Sequence, residues 1–248
     1  MISLVGKNVK KSFTHKIYDF LFKKSKQKLK FNSFSIKNKF FLKKVLIIFH
    51  KKNFLLNVTI PYKEKIFFFV NYVCKNALDF RAVNCIFLYN NCVIGFNTDG
   101  IGFLKDFKKK INVKKKKNIL VLGLGGAFKG IINFIKKIKH RNILLENRKK
   151  KKILIFIKKH NYYKKYKKED FRILINTVPT QFLYNFLKEE NIFIKKNTII
   201  YDIGYLSRTK VFFLTNFFYN GIGMLTTQAL ENFKIFLKIK NERISYIS

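Results

Sequence analysis

An α/β fold built in two parts is predicted by three observations. Short β-branched or aromatic runs alternate with longer stretches of helical periodicity, the pattern of parallel strands joined by helices. The run Asn118-Ile119-Leu120-Val121-Leu122 passes through Gly123-Leu124-Gly125-Gly126 directly into a helical stretch. Just ahead of that run, residues 106–117 are rich in lysine and poor in apolar side chains, which marks a boundary.

In the first part, strands are expected at residues 2–5, 31–36 and 55–60, and residues 82–89 and 92–97 form a hairpin about Asn90-Asn91. Helices fill residues 14–24, 39–51 and 63–75. Past the boundary, strands fall at 118–122, 142–146, 172–176 and 198–203, with a helix over 127–139. The last segment, 225–240, carries Leu225, Leu230, Phe233 and Leu237 at roughly helical spacing and packs back on the body of the protein.

The 248 residues, 48% of them hydrophobic, suffice to bury a sizeable core in one large domain or two modest ones, which excludes a disordered tail. A formal net charge of +40, from 53 Lys and Arg against 13 Asp and Glu, points toward a polyanion. The remaining composition points elsewhere: 30 Phe, 2 Pro and no Trp match drift toward AT-rich codons, which leaves most lysines as tolerated surface. No apolar run approaches the roughly 18 residues of a membrane-spanning helix. Met1-Ile2-Ser3-Leu4-Val5-Gly6 lacks the charged segment and apolar core of a secretory signal, so a cytoplasmic protein with no membrane partner is expected. Cys74, Cys85 and Cys92 have neither C-x-x-C spacing nor a neighbouring histidine cluster and read as reduced, packed thiols that hold no metal.

Strand, glycine turn and helix in that order open a dinucleotide-binding unit. Glycines let the backbone approach a pyrophosphate, and the free N–H groups and dipole of the following helix favour its charge. Taken alone, such a turn is as readily an ordinary strand-to-helix connection. The next strand, however, ends in Glu146-Asn147-Arg148-Lys149, where the adenosine ribose should lie. Arg148 and Lys149 suit a 2′-phosphate and favour NADP(H), whereas Glu146 would accept a hydrogen bond from the free 2′-hydroxyl of NAD.

Two segments carry the chemistry. Asn57-Val58-Thr59-Ile60-Pro61-Tyr62-Lys63-Glu64 and Gly95-Phe96-Asn97-Thr98-Asp99-Gly100 set a lysine and an aspartate among small hydrogen-bonding residues, while the other lysines sit mostly in featureless runs. A lysine ammonium so placed is suited to donate a proton to an oxygen on which negative charge develops. A Lys–Asp pair that merely closes two domains is the structural alternative; it leaves Thr59, Asn84 and Asn97 unexplained.

These two segments stand in order with Lys11-Ser12-Phe13-Thr14, Ala82-Val83-Asn84, Gly123 to Ala127, Asn147-Arg148, Tyr201-Asp202 with Tyr205, and Gly221-Ile222-Gly223-Met224-Leu225 with Gln228. So arranged, the chain resembles the NADP-dependent shikimate dehydrogenase family over nearly its whole length. The resemblance implies reduction of 3-dehydroshikimate to shikimate by NADPH. It also implies an N-terminal α/β substrate domain, 1–105, completed by the C-terminal helix 225–248, and a Rossmann-like NADP-binding domain, 106–224, with the active site in the cleft. Lys63 and Asp99 become the catalytic pair. Ser12 and Thr14 bind the substrate carboxylate, Thr59, Lys63, Asn84, Asp99 and Gln228 its hydroxyl-bearing end, and Tyr205 lies near substrate and nicotinamide. Gly123, Leu124, Gly125, Gly126, Ala127, Asn147, Arg148, Lys149, Ile203 and Gly221 hold the cofactor. Nucleic acid is met only nonspecifically through charge, and a homodimer is left open.

The chain also departs from the family pattern. Thr14 stands for a second serine, His15 for a proline, Lys149 for a threonine, and Val178 falls within the motif that ends at Pro179. Phe128 fills a normally small position, where its bulk is expected to push the helix from the sheet or crowd the pyrophosphate. Residues 148–172 are short, and Phe218-Tyr219-Asn220-Gly221 leaves little room for the customary last strand. Two alternatives stay open on sequence grounds: an NAD-using quinate/shikimate dehydrogenase, and a degraded enzyme acting as a basic nucleic-acid-binding protein.

Overall fold

The computed structural model describes all residues except 11, 38–39, 42, 44, 46–53, 90–91, 112–116, 139–141, 150, 152, 157–170, 206–209 and 242–248. The chain divides into two compact units, Met1–Gly102 with Leu225–Ser248, and Phe103–Met224.

The first unit is built on a six-stranded sheet of β1 (Ile2–Gly6), β2 (Phe31–Ser35), β3 (Phe54–Val58), β4 (Tyr72–Val73), β5 (Cys85–Tyr89) and β6 (Cys92–Phe96), in the order β2-β1-β3-β5-β6-β4. β1 is parallel to both its neighbours, β5 is antiparallel to β3 and β6, and β4 is parallel to β6, so the sheet is mixed. All five residues of β1 are buried because the sheet is covered on both faces, and Ser3 is the one polar side chain among them. Alternate residues point to opposite cores. Ile2, Leu4, Leu55 and Phe87 join Tyr18, Phe22, Phe31, Phe233 and Phe236 on one side, whereas Val5, Leu56 and Ile86 join Tyr62, Ile66 and Val83 on the other.

Helix α1 (Thr14–Lys24) buries Thr14, Tyr18, Leu21 and Phe22, spaced along one helical face, and ends on Lys23 and Lys24, which complement its C-terminal dipole. The expected helix over 63–75 is replaced by a single turn, α2 (Lys63–Ile66), a 3-10 turn at Phe67–Phe69 and the short strand β4. The reason lies in the β-prone run from Phe67 to Cys74. Backbone N–H groups of Asn71 and Cys74 donate to the carbonyls of Val93 and Gly95 on β6, so sheet pairing overrides the helical pattern. Helix α3 (Lys75–Phe80) follows. The strand expected over 55–60 stops at Val58, ahead of a turn whose Ile60–Pro61 peptide is cis. The helix expected over 39–51 lies largely outside the described residues.

Helix α4 (Asp99–Lys110) reaches into the lysine-rich segment 106–117 and carries the buried Phe103 and Phe107 on one face. The second unit then forms a five-stranded, wholly parallel sheet of β7 (Ile119–Leu122), β8 (Ile143–Glu146), β9 (Ile173–Asn176), β10 (Ile199–Asp202) and β11 (Phe217–Tyr219), in the order β11-β10-β9-β7-β8. A last strand is therefore present, three residues long and paired to β10, where the sequence left little room for one. Helix α5 (Gly126–Lys137) buries Phe128, Ile131, Ile132, Phe134 and Ile135, and α6 (Thr180–Glu189) buries Leu183, Phe186 and Leu187. Phe128 lies in the interior, edge-on to Phe156 at 5.1 Å, while Gly125, Gly126 and Ala127 are exposed; its bulk points away from the glycine turn and leaves that turn open.

The order places β8 and β9 on opposite sides of β7, and ligands of such sheets bind where the winding reverses, at the strands' carboxyl ends. There Leu122 is in register with both Glu146 and Asn176, and Asn176 with Asp202, so a row of polar residues borders Gly123. Helix α7 (Ile222–Asn241) closes the described chain. No described helix is long and apolar enough to cross a membrane.

Candidate active site

In the first unit, main-chain bonds lace the chemistry-bearing segments together. Val83 N–H donates to the Lys63 carbonyl at 2.8 Å, Val58 N–H to that of Asn84 at 2.7 Å, and Asn84 N–H to that of Phe96 at 3.0 Å. Asn97 Nδ2 donates to the Ala82 carbonyl at 2.9 Å while its Oδ1 accepts the Asp99 N–H at 3.1 Å, a local turn that sets the start of α4. On this frame Lys63 Nζ stands 2.6 Å from Asp99 Oδ2, with side-chain exposures of 24% and 13%, so both groups are sheltered yet within a solute's reach. Asn84 Nδ2 donates to Asp99 Oδ1 at 2.8 Å and to Thr98 Oγ1 at 3.1 Å. Both carboxylate oxygens of Asp99 are thus held, and the carboxylate begins a helix, where the dipole favours it.

A buried relay of side chains supports this pair. Thr98 Oγ1 donates to Asn232 Oδ1 at 2.7 Å, and Asn232 Nδ2 donates to Asn57 Oδ1 at 2.8 Å. Asn57 Oδ1 also accepts the Tyr18 hydroxyl at 3.0 Å, and Asn57 Nδ2 donates to the Ser3 carbonyl at 3.0 Å. Burial pushes the Tyr18 phenol above its ordinary range, so it stays a neutral donor. Buried polar groups of this kind are costly once one partner is removed. Asn232→Ala is expected to destabilise the protein by about 1–3 kcal/mol, measured by denaturant unfolding.

Ser12 and Thr14 meet at the start of α1 with their hydroxyl oxygens 2.8 Å apart. Thr14 is the first helical residue and not its cap; Ser12 Oγ instead accepts the Thr14 N–H at 3.3 Å. Thr59 lies against Gly6, where an added Cβ would come within 2.4 Å of the threonine methyl. Gln228 stands one turn before Asn232, and its carbonyl is 3.5 Å from Thr98 Oγ1. The structure therefore joins Lys63, Asn84 and Asp99 directly and Ser12 with Thr14.

In the second unit Gly123 has φ +88°, a left-handed conformation that disfavours any side chain, and a Cβ there would sit 2.8 Å from both Thr177 Oγ1 and a Val178 methyl. A Cβ at Gly125 would meet nothing within 4 Å, so that face is open. No acidic residue or side-chain cap occupies the first turn of α5. Leu124 N–H donates to Asn147 Oδ1 at 3.3 Å, tying the turn to the end of β8, after which Arg148 and Lys149 are exposed. Glu146 is buried, and its Oε1 accepts the N–H of Asn147 at 2.9 Å. An open glycine turn at a helix N-terminus, with two cations beyond the neighbouring strand, fits a phosphorylated dinucleotide. Gly221 lies against the end of β10: its N–H donates to the Gly204 carbonyl at 2.9 Å, and a Cβ there would fall 2.0 Å from the Ile203 carbonyl oxygen. Tyr205 follows that strand and is half-buried.

Residues 4–86 match the family model of the shikimate dehydrogenase substrate binding domain. The shikimate dehydrogenase (NADP(+)) of Staphylococcus haemolyticus is 33% identical over 191 residues, 72% of this chain and 70% of that protein. The chain belongs to the shikimate dehydrogenase family. The shikimate dehydrogenase (NADP(+)) of Buchnera aphidicola is similarly 32% identical over 202 residues, 75% of this chain and 73% of that protein. The solved shikimate dehydrogenase of Aquifex aeolicus superposes with a TM-score of 0.82 at 28% identity, covering 99% of this chain and 94% of that one. A shikimate dehydrogenase solved in complex with NADP+ superposes at 0.80 with 25% identity, covering 95% and 88%.

As a shikimate dehydrogenase, the chain keeps hydrogen-bonding residues at the substrate motifs and accommodates its departures elsewhere. Thr14 preserves the hydroxyl that faces Ser12, and Phe128 is absorbed by the core. Asn232 escaped the reading of the sequence; its one signal was an amide between Ala229 and Phe233 on the apolar face of the last helix. Asp202 ends β10 in the second unit. Its Oδ1 accepts from Asn176 Nδ2 and Gly204 N–H, both at 2.9 Å, but Oδ2 is buried with no partner among the described residues. Burial raises its pKa, and the bonds from Gly204, Thr180 and Asn176 only partly oppose this. Because the folded pKa lies above the unfolded one, the stabilisation linked to the proton is present below the unfolded value and fades as pH rises through the folded value. Asp202→Asn is therefore expected to raise the melting temperature at pH 8 and leave it nearly unchanged at low pH, read by calorimetry across that range.

Proposed function

We propose that the chain reduces 3-dehydroshikimate to shikimate, with Lys63 as the proton donor and Asp99 as the group that aims it. The observation that carries this reading is the 2.6 Å contact of Lys63 Nζ with Asp99 Oδ2, in a chain one-third identical to a named shikimate dehydrogenase (NADP(+)). Bound NADPH supplies a hydride to the ketone carbon. The carbonyl π pair then moves onto oxygen, where negative charge develops, and an N–H bond of Lys63 breaks as the O–H bond of the product alcohol forms. Asp99, fixed through both oxygens by Lys63 and Asn84, holds the ammonium in one orientation and accepts hydrogen bonds from the substrate hydroxyls. Asn84, Thr59 and Gln228 complete the hydroxyl contacts, and Ser12 and Thr14 take the ring carboxylate.

The residues that would hold NADPH are Gly123, Leu124, Gly125, Gly126 and Ala127 at the pyrophosphate, Asn147, Arg148 and Lys149 at the adenosine 2′-phosphate, and Ile203 and Gly221 at the nicotinamide. Glu146, the residue that would favour an unphosphorylated ribose, is buried and bonded to the backbone beside it, which supports NADP(H) over NAD(H). Arg148→Ala is expected to raise the KM for NADPH by about tenfold, one charge-assisted hydrogen bond, with little effect on that for NADH. Steady-state kinetics with both cofactors checks it. The charge of +40 gives only nonspecific affinity for nucleic acid in this reading, and such affinity falls steeply with salt. The direct test is NADPH consumption with 3-dehydroshikimate by the purified protein.

A further inference from the structure

A buried charged cluster outside the proposed reaction centre lies in the second unit, around Asp106. The Tyr201 hydroxyl donates to Asp106 Oδ2 at 2.6 Å, and Lys110 Nζ reaches the same oxygen at 2.8 Å from the next turn of α4. The Tyr201 phenol is fixed in place by Phe103 and Phe107, whose rings meet it at 5.4 and 5.6 Å, and burial keeps it protonated. Asp106 is itself buried, so its charge must be matched by these donors.

The other side of the carboxylate faces the turn that opens α7. A Cβ on Gly223 would come within 2.0 Å of Asp106 Oδ1 and 2.5 Å of its Cγ, so the turn's backbone rests directly on the carboxylate. The negative charge therefore sits at the N-terminus of a 20-residue helix, where the dipole favours it. Lys110 Nζ also approaches the Asn220 carbonyl at 3.4 Å and lies over the rings of Tyr201 and Tyr219 at 5.6 and 5.8 Å. Asn220 Oδ1 accepts the Ile222 N–H at 3.2 Å, and Gly221 N–H is bound to Gly204. The turn from Asn220 to Gly223 is thus held at successive residues, and Asp106 with Lys110 braces two of them.

We infer that Asp106, gripped by Tyr201 and Lys110, is a positioning residue that fixes the Asn220–Gly223 turn for the nicotinamide end of the cofactor. The inference rests on the proposed placement of Gly221 beside bound NADPH. Neither Asp106 nor Lys110 touches reacting atoms; they act through the backbone they hold.

The test uses the full chain and the variants Asp106→Ala and Tyr201→Phe, the second of which keeps the aromatic packing and removes one hydroxyl. Hydrogen exchange of the amides of residues 220–224 is measured without ligand, and NADPH and shikimate affinities are titrated separately. Expected are faster exchange in that segment for both variants and NADPH binding weakened about tenfold in Asp106→Ala, with shikimate binding unchanged within about twofold. Unchanged exchange, or equal weakening of both ligands, would overturn the inference. A wild-type protein that binds neither ligand refutes the reaction reading instead, and exchange at residues 220–224 then decides the role of Asp106 by itself.

Discussion

Lys63→Ala is expected to lower kcat by about 10³- to 10⁴-fold, the range that loss of a general acid and of its stabilising charge commands. The protein should stay folded, because the side chain is partly exposed and its main contact is Asp99. Removing the ammonium leaves Asp99 held by Asn84, so the carboxylate remains in place without its cation. The effect should therefore fall on kcat more than on the KM for NADPH, whose proposed contacts lie in the other unit. A KM effect of the same size for NADPH would mean that Lys63 acts through the fold and not through the substrate's reacting oxygen. Asp99→Asn separates the two functions of the pair: the amide still meets hydroxyls but cannot orient the ammonium by charge. Steady-state kinetics on the two variants reads both effects.

Gly221→Ala should damage both the fold and cofactor binding of the second unit. The added methyl would lie 2.0 Å from the Ile203 carbonyl oxygen and 2.5 Å from its carbon, and both are backbone atoms that cannot rotate away. The turn must move off the end of β10, at about 1–3 kcal/mol as overpacking goes, and its hydrogen bond to Gly204 must stretch. Because this turn is the proposed neighbour of the nicotinamide, NADPH affinity should fall further than stability alone accounts for. Gly125→Ala is the control: its Cβ would meet nothing, so the fold should be indifferent, and only the approach of a bound pyrophosphate would feel the methyl. Thermal unfolding and NADPH titration on the two variants distinguish packing from binding.

The strands of the parallel sheet were legible because burial on both faces demands continuous apolar runs, as in Ile119 to Leu122 and Ile173 to Ile175. The short α2 and β4 were not, because the pattern over 63–75 is compatible with a helix until β6 supplies hydrogen-bond partners for Asn71 and Cys74. The same limit applies at β11, whose three residues become a strand only by pairing with β10. In the candidate site, the pairing of Lys63 with Asp99 was legible from their neighbours and not from their charge, since lysine is common everywhere in this chain. Their frame was less so. Asn232 bonds to Thr98 and Asn57, 134 and 175 residues away, and a single amide on an amphipathic helix carries no local sign of such partners. Asp106 was hidden for another reason: it falls beside a lysine run that reads as solvated surface, yet the helix buries it against Tyr201.

The most direct measurement is the rate at which purified, folded protein oxidises NADPH in the presence of 3-dehydroshikimate, with shikimate quantified as the product. NADPH consumption matched mole for mole by shikimate, and lowered about 10³- to 10⁴-fold in Lys63→Ala, is the expected result. A folded protein that binds RNA equally well with or without Lys63 and turns over no 3-dehydroshikimate would contradict it.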